Sequence, residues 1–244
     1  MDKAVEIEKL SFFYPDGQKA LKDINLVIYP SENVALIGPN GAGKSTLLLH
    51  LNGILRGNST VKVFDLPVEE KNLKEIRRKV GLEFQDPEDQ LFSPTVFDDV
   101  AFGPINMGYS ETEVKQCVTQ ALKWVGMNGY EQRSPHHLSV GEKKRIAIAT
   151  VLSLNPELLV LDEPTSNLDP RSKWSLIELL KRLPMTKIIA AHDLELVRTL
   201  CQRTMILDEG EIVAEGNTTG ILDNIPLLRV HGLAPEEDSS KALT

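Results

Sequence analysis

The sequence has little cysteine, and its two cysteines stand alone. Cys117 and Cys201 are far apart along the chain, and neither lies in a CxxC pair. A disulfide framework needs several cysteines, and zinc sites usually bring cysteines in close pairs. The sequence therefore supports neither kind of site, and it favours a reduced compartment such as the cytosol.

Long apolar runs and an excess of basic residues are also missing. The most apolar stretch, residues 146–161, is interrupted by Asn155, Pro156 and Glu157. No run approaches the ~20 residues that span a bilayer, and the N-terminal residues lack the apolar core of a signal peptide. A role at a membrane would therefore require docking onto another chain.

The charge balance is acidic. The formal net charge is −8 and the isoelectric point is near 5.2, whereas proteins that bind nucleic acid usually carry a basic patch or a high isoelectric point. We therefore expect no nucleic-acid partner.

The pattern of apolar residues predicts an α/β fold. The 244 residues are 41% hydrophobic and 25% charged, which suits a domain with a substantial core. Strands are predicted at residues 5–13, 24–28, 34–37, 80–84, 158–161 and 187–191, with a hairpin at 204–213. Helices are predicted at 44 to about 55, at 110–125 and after Asp169.

Because strands alternate with helices, the main sheet is predicted to be mostly parallel and doubly wound. Antiparallel strands precede it, and a helical subdomain is inserted at about residues 95–153. We expect one domain over residues 1–234. Residues 235–244 are polar and are expected to form a mobile tail.

One glycine-rich segment predicts a phosphate site. Residues 38–45, GPNGAGKS, match the P-loop pattern GxxxxGK[ST]. They follow a buried strand and open a helix, so main-chain N–H groups and the helix N-terminus can both face a polyphosphate. The residues assigned to ATP here are Asn40, Gly41, Ala42, Gly43, Lys44, Ser45 and Thr46.

A second strand brings two carboxylates to the same edge of the sheet. Residues 158–161 are apolar, and Asp162 and Glu163 follow them directly. Ligands of such sheets bind outside the carboxyl ends of the strands. Asp162 is therefore predicted to reach Mg²⁺, and Glu163 to accept a proton from the attacking water. The alternative is that Glu163 merely caps the strand end.

Further segments resemble those of the ATP-binding-cassette (ABC) ATPases, in the family's order and spacing. Residues 138–142, LSVGE, resemble the signature LSGGQ, and residues 166–169 resemble the D-loop. Gln85 is similar to the Q-loop glutamine, His192 to the switch histidine, and Tyr14 to the aromatic residue that stacks on adenine. The resemblance covers nearly the whole chain except the tail.

The resemblance implies a P-loop, RecA-like fold, ATP and Mg²⁺ as cofactors, and a second ATPase subunit, with a homodimer favoured. It assigns the roles as follows: Glu163, His192, Lys44 and Gln85 in catalysis; Ser45, Gln85 and Asp162 at Mg²⁺; Ser139, Gly141 and Glu142 at the ATP of the opposite subunit; Asp169 in the D-loop.

Two signature residues depart from the family's pattern. Val140 replaces a glycine, and Glu142 replaces the glutamine. Glu142 adds negative charge near a phosphate, but with Ser139 it fits a capping box at a helix start. Lys143 and Lys144 follow directly and bring opposite charge close in sequence.

Residues 84–104 resemble a narrower group, the energy-coupling factor importers of vitamins or of cobalt and nickel ions. The variant LSVGEKKRIAIATVLS further resembles the cobalt and nickel ATPases. This implies an integral membrane coupling subunit, a substrate-binding membrane subunit and a peripheral place on the cytoplasmic face of the membrane. The anchors expected for docking are Leu91, Phe92, Val96 and Phe97.

Other interpretations stay open at this stage. The chain is alternatively the ATPase of a vitamin importer, a soluble ABC ATPase unlinked to transport, or a regulatory cassette without activity. Lys44, Glu163 and His192 argue against the last. The adjacent His136 and His137 suggest a metal site, but neighbouring side chains point apart and no third ligand is near.

Overall fold

The structure, a computed structural model, describes residues 2–57 and 60–235. Its strands are β1 (Val5–Phe13), β2 (Lys19–Ile28), β3 (Asn33–Ile37), β4 (Thr60–Val63), β5 (Leu66–Pro67), β6 (Val80–Glu83), β7 (Leu158–Asp162), β8 (Thr186–Ala190), β9 (Arg203–Asp208) and β10 (Glu211–Asn217). Its helices are α1 (Lys44–Leu51), α2 (Leu73–Lys79), α3 (Val96–Met107), α4 (Glu111–Val125), α5 (Val140–Leu152), α6 (Pro170–Arg182), α7 (Leu194–Leu200), α8 (Thr218–Asp223) and α9 (Ile225–Val230).

The strands form two sheets. The larger has the order β10-β9-β3-β8-β7-β6. Its neighbours are parallel except β10, which makes the predicted hairpin with β9. The smaller has the order β2-β1-β4-β5 and is antiparallel. The mostly parallel sheet and the N-terminal antiparallel strands are thus as predicted.

The central strands are mainly apolar because both faces of the large sheet are covered. Val34 and Leu36 of β3 belong to a core cluster shared with the small sheet and α1. Ala35 and Ile37 belong to a second cluster, which includes buried residues of α3, α4 and α5. These three helices occur between β6 and β7 in the chain.

Because β3, β6, β7 and β8 run parallel, their carboxyl ends lie along one edge of the sheet.

Local signals set most helix ends. Ser110 and Glu113 form the capping box predicted at the start of α4, and Asp169 caps α6 with Pro170 at its first position. Helix α1 ends at Leu51 and not near residue 55. Gly53 has a φ of 72°, the left-handed conformation that ends helices.

The predicted mobile tail begins at Pro235, and its remaining residues lie outside the described residues. The part of the chain that the structure describes contains no helix long and apolar enough to cross a membrane. Both cysteines are free thiols.

Candidate active site

The P-loop joins β3 to α1 through backbone conformations that exclude side chains. A Cβ on Gly38 would lie 2.0 Å from the carbonyl oxygen of Leu207. Gly43 caps α1 with a φ of 104°, and a Cβ there would lie 2.6 Å from the carbonyl oxygen of Ala20. Only glycine fits where the loop packs this closely against Leu207 and Ala20. Because these positions carry no side chain, the loop can point its main-chain N–H groups at a phosphate chain.

Lys44 lies at the base of this loop, with only 7% of its surface exposed. Its ammonium donates hydrogen bonds to the carbonyl oxygens of Gly38 (2.7 Å) and Pro39 (3.0 Å). Burial lowers the pKa of Lys44, and the nearby charges of Glu163 and Asp162 act in the opposite direction. The side chain is thus a positive charge held beside neutral N–H groups, which suits a polyphosphate.

Three oxygen-bearing side chains meet near Lys44. Ser45 begins α1, Asp162 ends β7, and Gln85 follows β6; all three line one cavity. Burial raises the pKa of Asp162, and the neighbouring Ser45 hydroxyl and the Lys44 charge oppose the increase. Hydroxyl, carboxylate and amide oxygens are the ligands that Mg²⁺ prefers, so these residues fit that ion.

Glu163 has a strained backbone and a buried carboxylate. Its φ is 50°, in the left-handed region that few residues other than glycine adopt, and it is 7% exposed. Oε2 accepts a hydrogen bond from the main-chain N–H of His192 (3.1 Å). Nε2 of the His192 ring lies 3.2 Å from Oε1. Strain of this kind concentrates at functional sites.

Burial is the main influence on the ionisation of Glu163. It raises the pKa of the carboxyl, while the His192 N–H and the Lys44 charge lower it. A general base works best with a pKa moved towards the operating pH. Glu163 is therefore suited to take a proton from water, and its main-chain hydrogen bonds fix its position.

The cavity at this edge of the sheet has a volume of about 740 Å³. It brings together most of the residues predicted for the site: Tyr14, Asn40, Gly41, Gly43, Lys44, Ser45, Thr46, Gln85, Asp162, Glu163 and His192. Ala42 is different, because its side chain is in the core. Sequence reasoning missed Thr165, Lys173 and Asp193, which also line the cavity.

The missed residues form a network of their own. Lys173 pairs with Asp193 at 2.8 Å, and the Thr165 hydroxyl donates to the same carboxylate at 3.1 Å. Asp193 follows His192 directly and caps α7. Asp193 could have been recognised from the sequence, because it directly follows the predicted switch histidine. This network fixes the start of α7 and so the main chain that carries His192.

Tyr14 stands at the opening of the cavity, after β1. Its hydroxyl hydrogen-bonds the Thr46 hydroxyl at 2.9 Å. Its ring meets that of Phe12 edge to face, with centroids 5.2 Å apart. The side chain is half-buried, so part of the ring stays accessible beside the P-loop. Adenine stacking on Tyr14 remains a prediction.

The signature segment lies outside this cavity. Ser139 caps α5 and forms the predicted capping box with Glu142. Glu142 also accepts a hydrogen bond from the Tyr130 hydroxyl at 2.8 Å. The Ser139 and Tyr130 hydrogen bonds lower the pKa of Glu142. The carboxylate is thus turned to its own helix start and to Tyr130.

The lysines after Glu142 do not balance its charge, which corrects the expectation drawn from their closeness in sequence. Lys143 pairs with Glu88 and Lys144 with Glu83. Successive helical residues point in different directions, about 100° apart, so neighbours in sequence need not meet.

The residues around the signature are held by α6. A Cβ on Gly141 would lie 3.1 Å from the Ser172 hydroxyl oxygen, so the start of α5 approaches α6 closely. Asp169 accepts hydrogen bonds from the N–H groups of Arg171 and Ser172. Val140 is exposed. The D-loop residue Asp169 is therefore a helix cap in this structure, and it does not line the cavity.

The docking anchors require correction. Leu91 and Val96 are buried in the core, with 4% and 0% exposure, so they cannot wall a groove. Phe97 is partly buried against the same core. Phe92 is 61% exposed, and its ring meets that of Phe102 edge to face at 5.1 Å.

Phe102 and Ile105 of α3 are also exposed, and residues three apart share a helix face. We call Phe92, Phe102 and Ile105 the apolar patch. Asp99, buried in α3, holds the loop that carries Phe92. Its Oδ1 accepts hydrogen bonds from the N–H groups of Phe92 (3.1 Å) and Ser93 (2.9 Å).

His136 and His137 lie in a short 3₁₀ turn, and both are exposed. Within residues 2–57 and 60–235, no group of three or more His, Cys, Asp and Glu side chains is arranged to hold a metal ion.

Comparison with known proteins agrees with this geometry. A family model described as ABC transporter matches residues 21–166. The chain is 49% identical over 237 residues to the "Energy-coupling factor transporter ATP-binding protein EcfA" of Carboxydothermus hydrogenoformans, covering 96% of this chain and 87% of the relative.

Two solved structures have closely similar folds. One is cbiO1 from Clostridium perfringens, described as part of the ABC transporter complex cbiONQ. It is 38% identical with a TM-score of 0.82, and 96% of each chain is covered. The other is a dimeric structure of the cassette MJ0796 bound to ADP and Pi. It is 28% identical with a TM-score of 0.79, covering 88% of this chain and 98% of that one.

Proposed function

Because this chain belongs to the ABC transporter family and hydrolyses ATP, we propose that it energises an importer of the energy-coupling factor type. Support comes from the relatives that carry this name and from residues 84–104, which match that group's pattern. The observation that carries the proposal is the apolar patch, exposed on the segment that continues from Gln85 of the nucleotide site.

The chemistry follows from the site residues. The P-loop N–H groups and Lys44 bind the phosphates of ATP. Ser45, Gln85 and Asp162 would hold Mg²⁺, which neutralises charge on the β- and γ-phosphates. Glu163 orients the attacking water and takes its proton. His192, beside both Glu163 and Lys44, is placed to contact the γ-phosphate.

A second copy completes each site. Ser139 and Gly141 stand at an exposed helix N-terminus, which favours an anion, yet they lie outside the cavity of their own chain. The Glu142 carboxylate is already engaged within its own chain, because it accepts hydrogen bonds from the Ser139 N–H and from the Tyr130 hydroxyl. We propose that these residues face the γ-phosphate of the opposite subunit in a homodimer. The solved ADP-bound cassette is itself described as dimeric.

The docking partner is an integral membrane subunit at the cytoplasmic face. The apolar patch supplies the surface, and exposed Asp86 and Asp89 stand on the loop between Gln85 and Phe92. An apolar patch with a polar rim suits a helix laid in a groove. The acidic rim favours a partner helix that carries arginine, because a guanidinium pairs with carboxylates in a fixed fork.

The test is Phe92→Asp in the full transporter. We expect ATP hydrolysis by the isolated dimer to persist, while copurification with the membrane subunit and cargo uptake fall. Trp124→Asp is a matched control, because Trp124 is also an exposed aromatic residue (42%) but lies on α4, outside the patch. Unchanged uptake with Phe92→Asp, or an equal loss in the control, would refute the patch as a docking site.

The cargo is proposed to be cobalt or nickel ions, on the resemblance of residues 138–153 to the ATPases of those importers. A vitamin is the alternative. Uptake assays with labelled cobalt, nickel and vitamins, run with the complete complex and with Glu163→Gln as the inactive control, separate the two. Failure to recover any membrane subunit with the wild-type chain would instead favour a soluble ATPase.

A further inference from the structure

Two oppositely charged side chains are completely buried beside the active site, and the chemistry above does not use them. Glu83, the last residue of β6, has 0% exposure, and Lys144 of α5 has 1%. Their Oε1 and Nζ atoms are 3.1 Å apart.

The Lys144 ammonium joins three separate segments. Besides Glu83, it donates hydrogen bonds to the main-chain oxygens of Gln85 (2.6 Å) and Glu163 (3.3 Å). An ammonium has three N–H donors, so this group is fully used. It links α5 to the segments that carry two residues of the nucleotide site.

A buried ion pair is not by itself evidence of added stability. Replacing a buried ion pair with apolar residues of similar size is often neutral or stabilising, because taking both charges out of water is costly. The cost is visible here, since burial raises the pKa of Glu83 to about 7 even though Lys144 lowers it. A core that needed only volume would be served by apolar residues.

The place of Lys144 suggests what the pair does. Lys144 lies five residues after Ser139 on α5, about 7.5 Å along the helix axis. The start of α5 is the surface assigned to the ATP of the opposite subunit. Gln85 and Glu163 face the ATP of their own chain. One buried ammonium therefore connects the two surfaces.

We propose that Lys144 is a positioning residue for ATP hydrolysis: it fixes the main chain at Gln85 and Glu163 relative to the start of α5. Through it, the nucleotide site of one subunit is coupled to the signature surface that the subunit presents to its partner. The coupling rests on the proposed dimer, whereas the positioning of Glu163 acts within one chain.

The test compares Glu83→Gln with Glu83→Gln/Lys144→Met. Glutamine at position 83 keeps an oxygen that can accept the Lys144 hydrogen bond but carries no charge. The double variant also removes the Lys144 charge, so it leaves no buried unpaired ion. We expect kcat of the double variant to fall about tenfold or more below that of the single variant, because small displacements of catalytic groups cost large factors in rate. ATP affinity, measured by titration, should stay within about threefold.

Lys187→Met is the matched control. Lys187 is also buried and also has three acceptors, namely the main-chain oxygens of Leu183 and Met185 and the Asn33 side chain. It stands at the opposite end of β8 from His192. It should lose stability in thermal unfolding, yet keep kcat within about twofold per folded molecule.

Two outcomes overturn the role of Lys144: equal kcat in the single and double variants, or an equal loss of kcat in Lys187→Met. If the double variant does not fold, hydrogen exchange on the wild-type chain decides. ADP, added where light scattering shows monomers, should slow exchange in both residues 83–87 and residues 139–145. Slowing in the first segment alone refutes the coupling.

A separate measurement tests whether the protein acts as the proposed dimer. A wild-type hydrolysis rate that stays linear in protein concentration down to the monomeric range refutes the proposed dimer. The comparison of kcat among the variants still decides whether Lys144 positions Glu163.

Discussion

Replacing Glu163 with glutamine tests whether this residue is the general base for ATP hydrolysis. The amide keeps the shape of the side chain and can still accept the hydrogen bond from the His192 N–H. It cannot take a proton from water. General-base catalysis is typically worth about 10²–10⁴ in rate. That factor corresponds to about 3–5.5 kcal/mol of transition-state stabilisation, at about 1.4 kcal/mol for each factor of ten.

We therefore expect kcat of Glu163→Gln to fall by about 10²–10⁴, with ATP affinity nearly unchanged. Steady-state phosphate release gives kcat, and nucleotide titration gives affinity. With ATP and Mg²⁺, the closed dimer should accumulate on size exclusion. Glu157→Gln, at the opposite end of the same strand and 53% exposed, should leave kcat unchanged.

We also predict how Glu163→Gln changes the stability of the fold. The direction of that change follows from the raised pKa of Glu163. Burial raises the folded-state pKa of Glu163 above its ordinary value of 4.5. The ionised carboxylate therefore costs stability at pH 8, and this cost is absent below about pH 4.5. Glutamine does not carry the cost, so Tm of the variant should equal or exceed that of the wild type at pH 8. The difference should shrink as the pH falls.

Near wild-type turnover in Glu163→Gln would refute the general base. A Tm that is lower at pH 8 and recovers at acidic pH would contradict the direction of the pKa shift.

Substitutions at Lys44, Tyr14 and Ser139 test the other parts of the site. Lys44→Ala should weaken ATP binding by about 1.5–3 kcal/mol, because it removes a charged hydrogen-bond donor to the phosphates; unchanged affinity in a titration contradicts that role. Tyr14→Ala should weaken ATP and GTP alike by about 1 kcal/mol, since every base offers a π-face, whereas Tyr14→Phe should keep most of the affinity. A mixed dimer of Ser139→Arg and Lys44→Ala chains retains one composite site and should hydrolyse ATP at up to about half the wild-type rate. A dimer whose sites use their own signatures would have no activity.

The nucleotide site was predictable from sequence because its parts are local. Residues 38–45 are contiguous, and their conformation is imposed by the glycines within them. Ser139 and Asp169 could be recognised as caps because a helix start depends on residues only a few positions apart. Parallel strands then bring the P-loop, Gln85 and the Asp162–Glu163 pair to one edge, whatever their separation along the chain.

Burial in residues 91–97 could not be predicted in the same way. Leu91, Phe92, Val96 and Phe97 are all apolar, and the sequence does not say which of them α4 and α5 cover. Two main-chain hydrogen bonds to Asp99 hold the loop in a conformation that leaves the Phe92 side chain exposed. Val96, the first residue of α3, is buried. The Glu83–Lys144 pair was missed for a related reason: the two residues are 61 positions apart, and Glu83 belongs to no motif that would point to a partner for Lys144.

Asp99 ties the apolar patch to a single helix. Because its buried carboxylate holds the N–H groups of Phe92 and Ser93, the loop is fastened to α3, the helix that carries Phe102 and Ile105. A partner docked at Phe92, as proposed, would therefore be connected to α3 through these two main-chain hydrogen bonds. We therefore expect the loop, Phe92 and α3 to move as one unit when the segment at Gln85 shifts.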